Sequence, residues 1–565
     1  MTHIDALTSE YQPDAANYTK TEHLENTSEK AQENKSGSPH NAANKDTVNI
    51  SEEGKALAEQ NAAANPPAAG ADSVQPAGQS PQNQFSSVQA VAEDMEYSLT
   101  KSISSSVTDS GRTVNVSSYT SVAEDGTETS GYMLSITGHE GEEDRKYVLK
   151  GDTIVNEDED GNLKVDNYSP GKSSSGNDTI IIGSFYASVD SGDGDDTIVI
   201  LEDRATADIK TGNGDDTIIA NSIMSGKIDT GDGDDNIQAD SIFIDKITTG
   251  SGDDTIKSDS ISARRIETGD GDDTIETKSL SGMGYGGDLT VDTGNGDDSI
   301  SAYRLADGNS GNSTVKISTG AGDDKLDSGF LGSGMSGNAT VSVDMGDGDD
   351  MFKASYVGSF NSGNATVKTD TGNGDDKMTV SWMGAMSSGN SETKAATGKG
   401  QDSVDVSWMG ASARGNASSD ISTGDDNDKV DISWIGAMAS ENSQASLNTG
   451  KGDDDVNISW SGADLRDNAK VNISTGSDDD DLTLSWAGIE MKGNSQLNID
   501  TGSGKDSFYA SWVGTFLSDN AFININTGSE NNLLKANHLE TYLIDNSQVN
   551  INTDKKENKI DTYVS

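Results

Sequence analysis

The residues with the most chemical potential in this chain form an acidic turn, Thr-Gly-x-Gly-Asp-Asp-x-apolar, as in Thr211-Gly212-Asn213-Gly214-Asp215-Asp216-Thr217-Ile218. The two glycines permit backbone angles that other residues resist and let amides and carbonyls approach a bound ion closely. If such turns stack in register, carboxylates of successive units stand about 4.8 Å apart. Unit charges at that spacing repel by about 1 kcal/mol in water and about 3 to 4 kcal/mol at an effective dielectric near 20. A hard divalent cation among the turns removes that repulsion, and aspartate oxygens with backbone carbonyls make an oxygen-only shell suited to Ca²⁺ rather than zinc or copper. The alternative is that Asp-Gly pairs simply form turns whose acids face solvent.

The elements that must position these turns are read from their spacing. Their opening glycines are Gly192, Gly212, Gly231, Gly250, Gly269, Gly294, Gly320, Gly346, Gly372, Gly398, Gly424, Gly450, Gly476, Gly502 and Gly528, with steps of 20, 19, 19, 19, 25 and then nine of 26. Such constancy requires units that stack on one another, because insertions otherwise accumulate in loops. Six residues after each glycine stands an apolar side chain, from Ile198 and Ile218 to Phe508 and Leu534, and two residues further often a second, such as Val380 or Ile432. That period of two predicts strands with one face inward. In the 26-residue units a second alternating pair, such as Val315/Ile317 or Leu497/Ile499, closes the coil. The expected fold is all-β, a parallel β-helix or β-roll solenoid of 19- and then 26-residue coils.

Two further columns repeat every 26 residues. Asn312, Asn338, Asn364, Asn390, Asn416, Asn442, Asn468, Asn494, Asn520 and Asn546 predict a stacked amide ladder at another bend. Several also fit Asn-x-Ser/Thr, a reading the ladder makes weaker. Every tryptophan lies in the other column, Trp382, Trp408, Trp434, Trp460, Trp486 and Trp512, preceded by Phe330 and Tyr356 and followed by His538. Strand parity predicts that this site faces inward as a core spine. A bulge that turned it outward would instead offer an aromatic row to a polysaccharide.

The acidic turn resembles the calcium-binding nonapeptide of the repeats-in-toxin (RTX, hemolysin-type) family, Gly-Gly-x-Gly-x-Asp-x-apolar-x, with Gly212, Gly214, Asp216 and Ile218 at its second, fourth, sixth and eighth places. The resemblance implies one ligand aspartate per turn: Asp196, Asp216, Asp235, Asp254, Asp273, Asp298, Asp324, Asp350, Asp376, Asp402, Asp428, Asp454, Asp480 and Asp506. It also implies multiple bound Ca²⁺ ions, export from a bacterium and calcium-driven folding. The chain departs from the family's pattern in its first glycine, usually a threonine, and in having one turn per coil where the family runs two. Asp426 and Asp478 replace the second glycine, and Asn532 and Asn558 replace the acid, which reads as a metal-free C-terminal cap.

Around the repeats the 565-residue chain divides into a polar, unfolded tail over 1–93, a small antiparallel β region over 94–170 that caps the solenoid, the repeats over 171–528 and degenerate capping coils over 529–565. The tail holds at most one short helix, from Ser51 to about Ala64. With 39 Lys and Arg against 96 Asp and Glu, the net charge of −57 excludes nucleic acid and anionic membrane surfaces as partners. There is no cysteine, and no apolar run approaches the roughly 18 residues of a membrane span. Met1 to Asn34 lacks the basic start and apolar centre of a classical signal peptide.

These features predict a non-catalytic, calcium-binding, secreted or cell-surface solenoid, an adhesin, envelope or matrix component whose partners are calcium ions and a polysaccharide or a host or cell-surface receptor. Two alternatives stand beside it. One is a secreted effector or toxin-like protein with its export signal in the N-terminal tail, and the other a polysaccharide-binding or polysaccharide-modifying parallel β-helix. Lyase- or epimerase-like catalysis is the weaker form of the second, because only His538 of five histidines lies in the repeats and no basic groove is evident.

Overall fold

The computed structural model describes residues 88–562, apart from 92–94, 124, 139–142, 159, 170–172, 174, 185–187, 202–207, 225, 285–286, 515, 529, 539–541 and 554–558. The tail and its helix at Ser51 therefore lie outside the described residues, except for the tail's last few positions. The fold is all-β, with no helix among the described residues. A five-stranded antiparallel sheet comes first, built from β1 (Val88–Ala90), β2 (Tyr97–Val107), β3 (Thr113–Val122), β4 (Glu128–Ile136) and β5 (Arg145–Leu149) in the order β1-β5-β4-β3-β2. The Asp125-Gly126 turn joins β3 to β4, with Gly126 at φ 84°.

The hairpin of β6 (Thr153–Glu157) and β7 (Leu163–Asn167) joins the solenoid's own sheet, where β6 pairs antiparallel with β8 (Thr179–Ile182). From β8 onward each coil pairs in parallel with the next, in the register the repeat predicts. Ile198 lies opposite Ile218, Ile218 opposite Ile237, Ile275 opposite Ile300, Met378 opposite Val404 and Phe508 opposite Leu534. A change from 19 to 26 residues per coil leaves this register intact, because the extra residues fall at the corner between Leu305 and Val315 and its successors.

Inside, the alternation buries one apolar column per strand face. Ile198 to Leu534 form a column that is almost fully buried, and Val341, Val367, Val471, Leu497 and Ile523 form another. Each such side chain contributes about 1.5–3 kcal/mol through burial, and every coil lends its apolar face to two neighbours. Val114, Val116, Leu134 and Ile136 of the antiparallel sheet pack on Val155, Ile181, Val199 and Leu201, so a second small core fixes that sheet to the outer face of the first coils. Arg112, buried beside Glu157 and held with Thr108 and Ser110, ties the β2–β3 turn to the β6–β7 hairpin.

The asparagine column forms the expected amide ladder: Asn338 Nδ2 donates to Asn312 Oδ1 at 2.9 Å and Asn364 Nδ2 to Asn338 Oδ1 at 2.8 Å, and the pattern continues to Asn546 and Asn520. The tryptophan column differs from the inward expectation. Pairing runs from Val380 to Trp382 without Ser381, so the chain shifts parity at this corner and Met383, not the tryptophan, enters the core. The rings are half-buried against Ala385, Ala411 and Ala437. They stack in parallel, with centroids 5.0 Å apart for Trp382 and Trp408 and 4.6 Å for Trp434 and Trp460. Each inner ring thus has both faces covered by its neighbours. The row shows its edges, so it is no stacking platform for a sugar.

Candidate functional site: the aspartate corner

Glycine is favoured at this corner by close approach along the axis. Gly374 has φ 141°, and a Cβ there would stand 1.9 Å from the carbonyl oxygen of Gly348 one coil before. The same approach recurs at Gly212 against Gly192. Asp426 and Asp478 occupy equivalent places with φ 83° and 86°, the left-handed region that an L side chain resists.

All fourteen aspartates assigned by resemblance fall into one column, each only 1–2% exposed. They do not face solvent, as simple turn acids would. Each carboxylate accepts, through Oδ1, the backbone N–H of the aspartate one coil earlier: Asp216 N–H to Asp235 at 2.8 Å, Asp350 N–H to Asp376 at 2.8 Å and Asp376 N–H to Asp402 at 2.9 Å. Oδ2 is buried without a hydrogen-bond partner in thirteen of them, from Asp196 to Asp480. In most turns the opening threonine lies beside the carboxylate, its hydroxyl standing between that group and the next coil, where Thr211 meets the Thr230 carbonyl at 3.0 Å. Only Thr501 turns to the carboxylate instead, donating to Asp506 Oδ2 at 2.7 Å.

Burial is the main cause of a raised pKa throughout the column. It pushes Asp216 and Asp376 up to about 6, Asp235, Asp254, Asp298, Asp428 and Asp480 to about 7, and Asp196 and Asp350 to about 8. The threonine hydroxyl opposes that shift where it is present. Met345 stands in its place in the coil of Asp350, which therefore lacks this relief.

A second, exposed column lies one residue earlier in each turn. Here the bond runs the other way along the axis: Asp215 N–H donates to Asp195 Oδ1 at 3.1 Å, and Asp349 N–H to Asp323 Oδ1 at 2.8 Å. A third column, between the two glycines, never places two acids in succession. Asn213 donates to Asp193, Asn295 to Asp270, Asn373 to Asp347 and Lys451 to Asp425. The spacing of the repeat made the first column legible but not these two devices, although the alternation at the third place could have been found by reading it down the coils. Also missed was Asp178, whose turn lacks the leading Thr-Gly; it is buried, and its N–H donates to Asp196 Oδ1 at 2.7 Å, so the column begins one coil earlier.

The donor set at the corner consists of oxygen alone, with one unpartnered buried carboxylate oxygen per coil, and that chemistry suits a hard cation. No three acidic, histidine or cysteine side chains converge as a metal cluster among the described residues. No helix among the described residues is long and apolar enough to cross a membrane. No protein-family model, curated protein or solved structure matches the chain.

Proposed function

We propose that this chain is a non-catalytic, secreted or surface-exposed β-solenoid whose buried aspartate corner takes up calcium ions, which neutralise the column and stabilise the coils. The observation that carries this reading is the run of thirteen buried carboxylate oxygens without partners. It falls at the turn position that the RTX-like pattern assigns to the ligand. Asp196 to Asp480 would hold the ions through Oδ2, and a bound ion would supply positive charge to a column that burial otherwise drives towards protonation. Replacing Asp376 and Asp402 together by Asn tests it: equilibrium dialysis should find fewer ions per chain than in the parent. Equal uptake removes these residues as ligands.

A second reading has its own observation. At the column's C-terminal end Asn532 occupies the aspartate position as a neutral group, accepting the N–H of Asp506 through Oδ1 at 2.8 Å and donating through Nδ2 to the Thr527 carbonyl. A protonated aspartic acid likewise offers a donor, its one O–H, beside an acceptor oxygen. On this reading the column holds protons, and calcium uptake is absent at neutral pH.

A further inference from the structure

A groove of about 820 Å³ lies on the outer sheet face of the early coils, away from the aspartate corner. It crosses nine successive coils, from Leu201 to Ser381, a run of about 38 Å at the spacing of parallel strands. At one end the antiparallel sheet overhangs it through Lys101, Ser118 and Tyr132, cross-strand neighbours on β2, β3 and β4. The lining thus joins both sheets into one elongated trough.

Its chemistry is polar but balanced in charge. Lys257 pairs with Glu276 at 2.5 Å, Lys278 with Asp259 at 2.7 Å and Lys353 with Asp327 at 2.8 Å, each bridging adjacent coils. In a chain of net charge −57 this is a local neutral strip that presents donors and acceptors side by side. The Tyr303 ring, 59% exposed, lies across Gly329, where a Cβ would stand 2.6 Å from its Cδ2. Phe330 meets that ring edge-on at 85°, and Arg304, not Tyr303, holds the register of the stacked column, so Tyr303 stands beside the column's first ring without being covered by stacking and leaves an open ring in the groove.

We propose that this groove binds an extended, uncharged polysaccharide running parallel to the solenoid axis, with Tyr303 as the stacking platform and the cross-coil ion pairs as partners for its hydroxyls. A hydroxyl is both donor and acceptor, and a row of Lys–Asp and Lys–Glu pairs answers both needs. An aromatic face suits the apolar face of a sugar ring. Polyanions are repelled by the surrounding charge. An extended peptide recognised through its main chain needs an open strand edge, whereas the floor strands of the middle coils are paired on both sides. The proposal does not depend on what fills the aspartate corner.

The test titrates the full-length protein calorimetrically, in EDTA and again in calcium, with neutral hexasaccharides (cellohexaose, mannohexaose and N-acetylchitohexaose), with hexagalacturonate and with a blocked Gly/Ser decapeptide. A neutral hexasaccharide is expected to bind with a Kd below about 1 mM. Tyr303→Ala should weaken it about tenfold and Tyr303→Phe should leave it unchanged, as stacking requires. Gly329→Val, which displaces the ring, should weaken it similarly. Binding that survives Tyr303→Ala, binding only of the uronate or the peptide, or no binding of any neutral hexasaccharide overturns the proposal. Loss of sugar binding in EDTA alone would also overturn its independence from the corner.

Discussion

Asp506 donates its backbone N–H to Oδ1 of Asn532 at 2.8 Å, and this bond closes a column in which each earlier aspartate does the same to the next. Asn532 differs in having a nitrogen where the others have a second oxygen, and that nitrogen finds the Thr527 carbonyl. The end of the column therefore shows what a neutral member gains.

Asp376→Asn should imitate Asn532. In chelator at pH 8 it is expected to stabilise the fold by about 1 kcal/mol, because an unpartnered buried oxygen becomes a donor and a buried charge disappears. Asp376→Ala should instead destabilise by about 1–3 kcal/mol, because the N–H of Asp350 loses its acceptor. Urea unfolding of the two variants checks both signs.

The pH dependence of the calcium-free protein follows from the same column. An aspartate held at about 6 to 8 in the fold, against an ordinary 3.8, binds its proton more tightly when folded. Stability from these groups is therefore full below about pH 4 and is lost as pH rises through about 6 to 8. Thermal midpoints measured in chelator by circular dichroism should fall from pH 5 to pH 8. A rise over that interval would show the column to be ionised without cost.

Met345→Thr should supply the hydroxyl that the coil of Asp350 lacks. Burial raises Asp350 to about 8, against about 6 for Asp376, which has Thr371 beside it. The variant is expected to bring Asp350 down towards its neighbours and to gain stability at pH 8 but little at pH 5. Carboxyl NMR titration of Asp350 reads the shift directly.

Asp426→Gly should stabilise by about 0.5–1 kcal/mol by relieving a left-handed aspartate at φ 83°. Gly374→Ala should do the opposite and cost more, since its Cβ would collide with the Gly348 carbonyl. Denaturant midpoints of the pair settle the order.

Much of this fold was legible because the repeat fixes what stacks on what. Ile198 through Leu534 pair in the register that their spacing predicts, and the asparagines form the amide ladder. The tryptophans were misplaced because parity assumes an unbroken strand, and the pairing skips Ser381 and Ser407. At the corner, the sequence identified the column but not its burial. Repulsion between carboxylates is visible in a spacing; the N–H donors that Asp215 and Asp216 offer in opposite directions, to Asp195 and Asp235, are backbone groups, and no residue type announces them. The groove was hidden for a related reason, since Tyr303 and Gly329 meet only once coils 26 residues apart are stacked.

The most direct measurement of the central claim is a calcium titration of the full-length protein at pH 7, followed by proton release and thermal midpoint together. Ion uptake at the column predicts several Ca²⁺ bound per chain, protons expelled from aspartates that burial holds near 7, and a midpoint that rises with calcium and falls in EDTA. No proton release and the same midpoint in EDTA as in millimolar calcium would contradict it and leave the column to its protons.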